Sequence, residues 1–239
     1  MTYIGNSHVR HGMPCQDRAI AVKDKDLVVL AVADGMGCEA YRHVELGAEF
    51  AVNYVKEHGK SLMVHAGKAT FTKELHRFMY ALGSEIVKYA HSMGMYPDDL
   101  HTTLSFSLIG PEHFLNVSIG DSPLYTLTKH GPMFLDGNDN GSDREYINRT
   151  YSVVDMDYSI NYMGVQVGFI KNLRSVLITS DGAIGWSKQE QLLNGENFGD
   201  LPAWYYDMLA GKADMKTTVE RLAEEGYDDV GIAYYVHDK

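Results

Sequence analysis

The strongest constraint on this chain is the stretch at residues 27–37, LVVLAVADGMG. Seven consecutive apolar residues, Leu27 to Ala33, end on Asp34, and Gly35-Met36-Gly37 then turns the backbone. An unbroken apolar run of that length reads as a strand buried on both faces. A carboxylate at the end of such a strand is costly to desolvate unless a cation meets it. Residues 175–182, SVLITSDG, repeat the device with Asp181 and Gly182. Two buried strands that each end in a carboxylate point to a metal site.

The rest of the chain supplies strands in runs and helices in pairs. Residues 19–23 and 27–33 form a hairpin across Asp24-Lys25-Asp26. Residues 43–57 read as a helix with Val44, Ala48, Ala51, Val52 and Val55 on one stripe and Gly59 as its stop. Residues 71–93 repeat the pattern through Phe71, Leu75, Phe78, Leu82 and Ile86. A loop at 94–101 carries Asp98 and Asp99. Residues 102–109 alternate Leu104, Phe106 and Leu108 with Thr103, Ser105 and Ser107, which predicts a half-buried strand. With 113–119 and 124–128 it makes an antiparallel meander. Residues 131–149 read as a surface loop and 151–157 and 159–169 as further strands. A buried strand follows at 175–180, then short helices at 188–194 and 202–209, a helix at 216–225 and a last strand at 231–236. That order predicts an α+β fold, sheet packed on sheet with helices outside.

Composition excludes several classes. With 32 acidic against 21 basic residues the net charge is -11, a surface that repels a phosphate backbone, so we expect no nucleic-acid partner. No apolar run reaches the roughly 18–20 residues that span a bilayer, so we expect no membrane association. The polar N-terminus lacks the layout of a secretory signal. Two cysteines, Cys15 and Cys38, are too few for a disulfide framework. We therefore expect a reduced, cytoplasmic protein. The length of 239 residues fits one large domain or two small ones.

Asp17, Asp34, Asp181 and the pair Asp228-Asp229 all stand at strand boundaries, where a sheet can bring them to one edge. Neither His nor Cys recurs beside them in sequence, so the expected ligands are oxygens and the expected ion is Mg²⁺ or Mn²⁺ rather than Zn²⁺. His8, His11 and His101 lie near the acidic segments as supporting or acid–base groups. Two other motifs fail on context. Gly35-x-Gly37-x-x-Ala40 has the spacing of a dinucleotide fingerprint, but the helix after it leads into a second helix where the motif needs a parallel strand. Asp136-Gly137-Asn138-Asp139-Asn140-Gly141 begins like a calcium loop, but the twelfth position is Ile147 where a bidentate Glu is required.

In order along the chain, Gln16-Asp17, Val32-Ala33-Asp34-Gly35-Met36-Gly37, Thr102-Thr103, Ile119-Gly120-Asp121-Ser122, Thr179-Ser180-Asp181-Gly182 and Asp228-Asp229-Val230 resemble the metal-dependent protein serine/threonine phosphatases of type 2C, bacterial members in particular. The resemblance implies one domain over residues 1–239, an antiparallel β-sandwich with helix pairs on both outer faces, and hydrolysis of phosphoserine and phosphothreonine. It implies two Mn²⁺ or Mg²⁺ ions bridged by Asp34, with the Gly35 carbonyl on one, Asp181 and Asp228 on the other, and Asp17 in or beside the set. Asp98 falls where bacterial members hold a third ion, and Asp121 is a turn residue. Arg10 is the nearest candidate for the family's phosphate-binding arginine. The implied partner is a phosphorylated substrate of a serine/threonine kinase, and the protein acts as a monomer. Gln16, His101 and Pro123 depart from the family pattern. They motivate the alternative, a phosphatase-like module that binds a phosphoprotein without turning it over.

Overall fold

The computed structural model describes residues 1–37, 42–135, 150–183, 203–225 and 228–237. Strands β1 (Thr2–Tyr3), β2 (Asp17–Asp24), β3 (Leu27–Asp34), β4 (Leu104–Ile109), β5 (His113–Ile119), β6 (Leu124–Thr128), β7 (Gly131–Leu135), β8 (Gly164–Phe169), β9 (Leu173–Thr179) and β10 (Val230–Val236) build two sheets. One has the order β2-β3-β4-β5-β8 and the other β1-β10-β9-β6-β7. Their strand pairings are antiparallel. The helices are α1 (Asn6–His11), α2 (Val44–Met63), α3 (Phe71–Ser92), α4 (Met156–Ser159), α5 (Ala203–Leu209) and α6 (Met215–Glu225). Since α2 leads into α3 and no parallel strand follows, the dinucleotide reading has no place in this fold.

The packing follows from β3, whose run of apolar residues faces two cores at once. Val29, Ala31 and Ala33 join the core under α2 and α3, while Leu30 and Val32 join the core between the sheets. A third core seats α5 and α6 on the second sheet through Tyr205, Met215, Val219 and Ala223 against Leu177 and Ile232. These three interfaces define four layers, α-β-β-α.

The structure corrects several expectations. Strand β4 is buried on both faces, because the second sheet covers its serines. Ser105 and Ser107 are fully buried, and Ser105 Oγ donates to Ser118 Oγ at 2.8 Å. On the same inner surface Asn116 Nδ2 donates across the sandwich to Thr126 Oγ1 at 2.7 Å. Hydrogen bonds between side chains let polar residues such as Ser105 and Asn116 sit inside a core. Gly59 does not stop α2, which continues to Met63. A Cβ at Gly59 would lie 2.8 Å from Leu108 Cδ2, so the glycine lets the helix lie close on β4. No strand forms at 151–157. Val153 and Met156 pack under α3, Tyr151 stacks on Tyr162 with ring centroids 4.1 Å apart, and only Gly164–Phe169 is extended. Residues 131–135, expected in a loop, pair with β6 as β7. The expected loop at 136–149 and helix at 188–194 lie outside the described residues.

Candidate metal centre

The β2–β3 hairpin sets the geometry. Its register pairs Asp17 directly with Asp34, so the two carboxylates leave the same edge. The turn between the strands holds Lys25 at φ 53°. The backbone at Asp34 is fixed from β4: its N–H donates to Thr103 Oγ1 at 3.0 Å, and its carbonyl accepts from Thr103 N–H and Thr102 Oγ1, both at 2.9 Å. Gly35 N–H donates to the Gln16 carbonyl at 3.3 Å. A Cβ at Gly35 would lie 2.8 Å from Val44 Cγ2, so glycine is what allows α2 to begin against the site.

The second sheet brings the other carboxylates. Ser180 N–H donates to the Gly231 carbonyl at 2.9 Å, and Gly231 N–H returns to Ser180 Oγ at 2.8 Å. This exchange locks the end of β9 to the start of β10. Gly182 lies so close to the Asp229 carbonyl that a Cβ there would collide with it. The backbone after Asp181 therefore lies against that of Asp228 and Asp229, and the charges of Asp181 and Asp228 both act on Asp34. Asp17 is buried, at 1% exposure, and its Oδ2 has no hydrogen-bond partner among the described residues.

Burial, followed by the charges of Asp17, Asp181, Asp121 and Asp228, pushes the Asp34 carboxyl well above the ordinary carboxylate range. Burial also raises Asp17 well above that range, with Asp229 and Asp181 adding and hydrogen bonds to Ser180 and Asp34 opposing. Asp228 is raised by desolvation of its carboxyl first, with Asp229 and Asp121 adding and His8 opposing. Carboxylates crowded in this way cannot all ionise without a cation. Their hard oxygen donors and the unmet Oδ2 of Asp17 fit a divalent ion such as Mg²⁺ or Mn²⁺.

The other candidates lie around this cluster. Asp121 accepts from Thr150 Oγ1 at 2.7 Å, as a turn residue would, yet its charge also acts on Asp34 and Asp228. Asp98 is 77% exposed, on the turn Pro97–Leu100, 3.8 Å from His101 Nε2. His101 is buried, its Nδ1 3.9 Å from Asp155, and its carbonyl accepts from Met36 N–H at 3.0 Å. It braces the loop after Asp34. Arg10 is exposed on α1. The His11 ring lies 2.8 Å from the Ser7 carbonyl.

One residue at the cluster comes from a segment whose structure the sequence did not reveal. His8, on α1, brings Nδ1 to 2.8 Å from Asp229 Oδ2, so a histidine does stand beside the carboxylates. No spacing signal relates positions 8 and 229. They meet only because β1 pairs with β10.

The architecture is a helix-clad double sheet with acidic residues at neighbouring strand ends. The family model described as Protein phosphatase 2C matches residues 4–224, and the chain belongs to that metal-dependent family. Solved structures agree in fold. The serine/threonine phosphatase Stp1 from Staphylococcus aureus aligns at 14% identity and TM-score 0.63, covering 100% of this chain and 94% of that one. The catalytic domain of the phosphatase PstP, solved with 2 manganese ions, aligns at 19% identity and TM-score 0.59, covering 100% and 96%. A C. elegans sex determining protein aligns at 17% identity and TM-score 0.62, covering 98% of this chain and 63% of that one. No curated protein matches the chain in sequence. No helix among the described residues is long and apolar enough to cross a membrane.

Proposed function

We propose that this chain is a phosphoprotein phosphatase that hydrolyses phosphoserine and phosphothreonine with two Mn²⁺ or Mg²⁺ ions, in a single domain over residues 1–239. The observation that carries this reading is the convergence of Asp17, Asp34, Asp181 and Asp228 from two sheets onto one edge, with Asp34 and Asp17 held far from their usual ionisation. Asp34 would bridge the ions, the Gly35 carbonyl would hold one, and Asp181 and Asp228 the other, with Asp17 in or beside the set. When bound, the ion pair supplies a water that ionises near neutral pH and electrophilic stabilisation of the phosphoryl oxygens. The protein keeps its ligands rigid: the Thr102 and Thr103 bonds to Asp34 and the Ser180–Gly231 exchange fix both carboxylate-bearing strand ends before substrate arrives. Arg10, exposed on α1, would meet the phosphoryl group, and Asp98 would hold a third, weaker ion. The substrate is a phosphorylated protein, the product of a serine/threonine kinase, met by a monomer in the cytoplasm.

The test is hydrolysis of an aryl phosphate and a phosphothreonine peptide with Mn²⁺, with Mg²⁺ and with chelator. Metal-dependent turnover that is lost in Asp34→Asn is the expected result. Absence of turnover despite calorimetric Mn²⁺ binding would overturn the enzyme reading in favour of a phosphoprotein-binding module.

A further inference from the structure

The N-terminal arm is fastened to the carboxylate cluster at two points. Gly5 N–H, just before α1, donates to Asp229 Oδ1 at 2.7 Å, and Gln16 N–H, beyond its end, donates to Asp229 Oδ2 at 2.5 Å. Asp229 is buried, and both of its oxygens are engaged by backbone donors, which marks it as a clamp. The clamp fixes α1 so that the His8 ring faces Asp228 and Asp229. The donor atoms of these three side chains lie within 4.8 Å of one another. His8 Nδ1 is buried and 2.8 Å from Asp229 Oδ2, yet the contact is not aligned as a hydrogen bond and the nitrogen has no hydrogen-bond partner among the described residues. Independently, Asp17, at 1% exposure, presents an Oδ2 that also lacks a partner and feels the charge of Asp229.

We propose that His8 is a nitrogen ligand of the metal centre, holding with Asp228 a divalent transition-metal ion in a mixed nitrogen–oxygen site. The inference rests on the phosphatase reading only in taking Asp228 as a ligand. An octahedral shell with bonds of about 2.1 Å separates neighbouring donors by about 3 Å and opposite donors by about 4.2 Å. Donor atoms that all lie within 4.8 Å of one another are near enough for one ion to draw together. A misaligned imidazole nitrogen against carboxylates is the arrangement such an ion would resolve. Mg²⁺ sheds water reluctantly and favours oxygen, whereas imidazole favours transition-series ions. His8 therefore biases this centre away from Mg²⁺.

The test uses Mn²⁺ as the probe on the full chain. Pulsed electron paramagnetic resonance of the Mn²⁺-loaded protein is expected to show a nitrogen coupling that changes on ¹⁵N-histidine labelling and disappears in His8→Gln. Calorimetry is expected to show Mn²⁺ affinity falling about tenfold in His8→Gln, the scale on which shell substitutions act, with Mg²⁺ affinity changed less than about threefold. The labelling result needs no variant to fold. Mn²⁺ bound without histidine coupling, or with coupling that survives His8→Gln, would overturn the proposal and leave the phosphatase reading intact. Failure to bind Mn²⁺ at all would instead overturn the metal-centre reading beneath it.

Discussion

Replacing Asp34 by Asn tests the electrostatic argument at its centre. The backbone of Asp34 is held by Thr102 and Thr103, and Asn is isosteric, so the substitution removes charge and little else. In the metal-free protein Asp34 has a raised pKa, so the folded state binds its proton more tightly than the unfolded chain does. The sign follows: stability is greatest below the unfolded carboxylate pKa of about 3.9 and is lost as pH rises through the higher folded value. Without metal, Asp34→Asn is therefore expected to melt at or above the wild-type temperature at pH 7.5, with the gap closing towards pH 4. With metal the order reverses. Mn²⁺ at a hundred times its dissociation constant stabilises a binding-competent fold by about 2.7 kcal/mol, roughly 5–11 °C for a domain of this size. Wild type should show that rise, and Asp34→Asn less than about a fifth of it. Thermal unfolding by circular dichroism, with chelator and with Mn²⁺ at several pH values, measures all of this. A variant that is less stable without metal at every pH, and that keeps the full Mn²⁺ shift, would refute the reasoning.

Two further outcomes follow from particular contacts. Gly182→Ala drives a methyl group into the Asp229 carbonyl, so it should cost about 1–3 kcal/mol of stability and weaken Mn²⁺ binding, measured by denaturant unfolding and calorimetry. Cys15 is pushed up to about 12 by burial first and then by the charges of Asp229 and Asp17. Its thiol stays neutral in the fold while the unfolded chain ionises near about 8.5, so this group lowers stability only as pH rises above that value. In a Cys38→Ser background, alkylation by iodoacetamide at pH 9 should be at least about tenfold slower for the folded protein than for the unfolded one.

The sequence by itself marked out the long buried strands and the paired helices, and it singled out Asp17, Asp34, Asp181 and Asp228, the carboxylates of the proposed site. Burial on both faces favours a continuous apolar run, so β3 and the second half of β9 are legible as runs, and the aspartates that follow them stand out against that background. Helices α2 and α3 were legible because their stripes repeat at helical spacing. What escaped the sequence was whatever another layer decides. The serines of β4 read as a solvent face and became an inner surface once a second sheet covered them. Gly59 read as a helix stop, and the closeness of β4 made it a contact. Residues 151–157 have strand-like composition, but Val153 and Met156 find their burial under α3 without a ladder. The meeting of His8 with Asp228 and Asp229 depended wholly on tertiary structure. Local sequence encodes local geometry, whereas a contact across more than two hundred residues exists only when β1 closes onto β10 and Asp229 draws in the backbone on either side of α1.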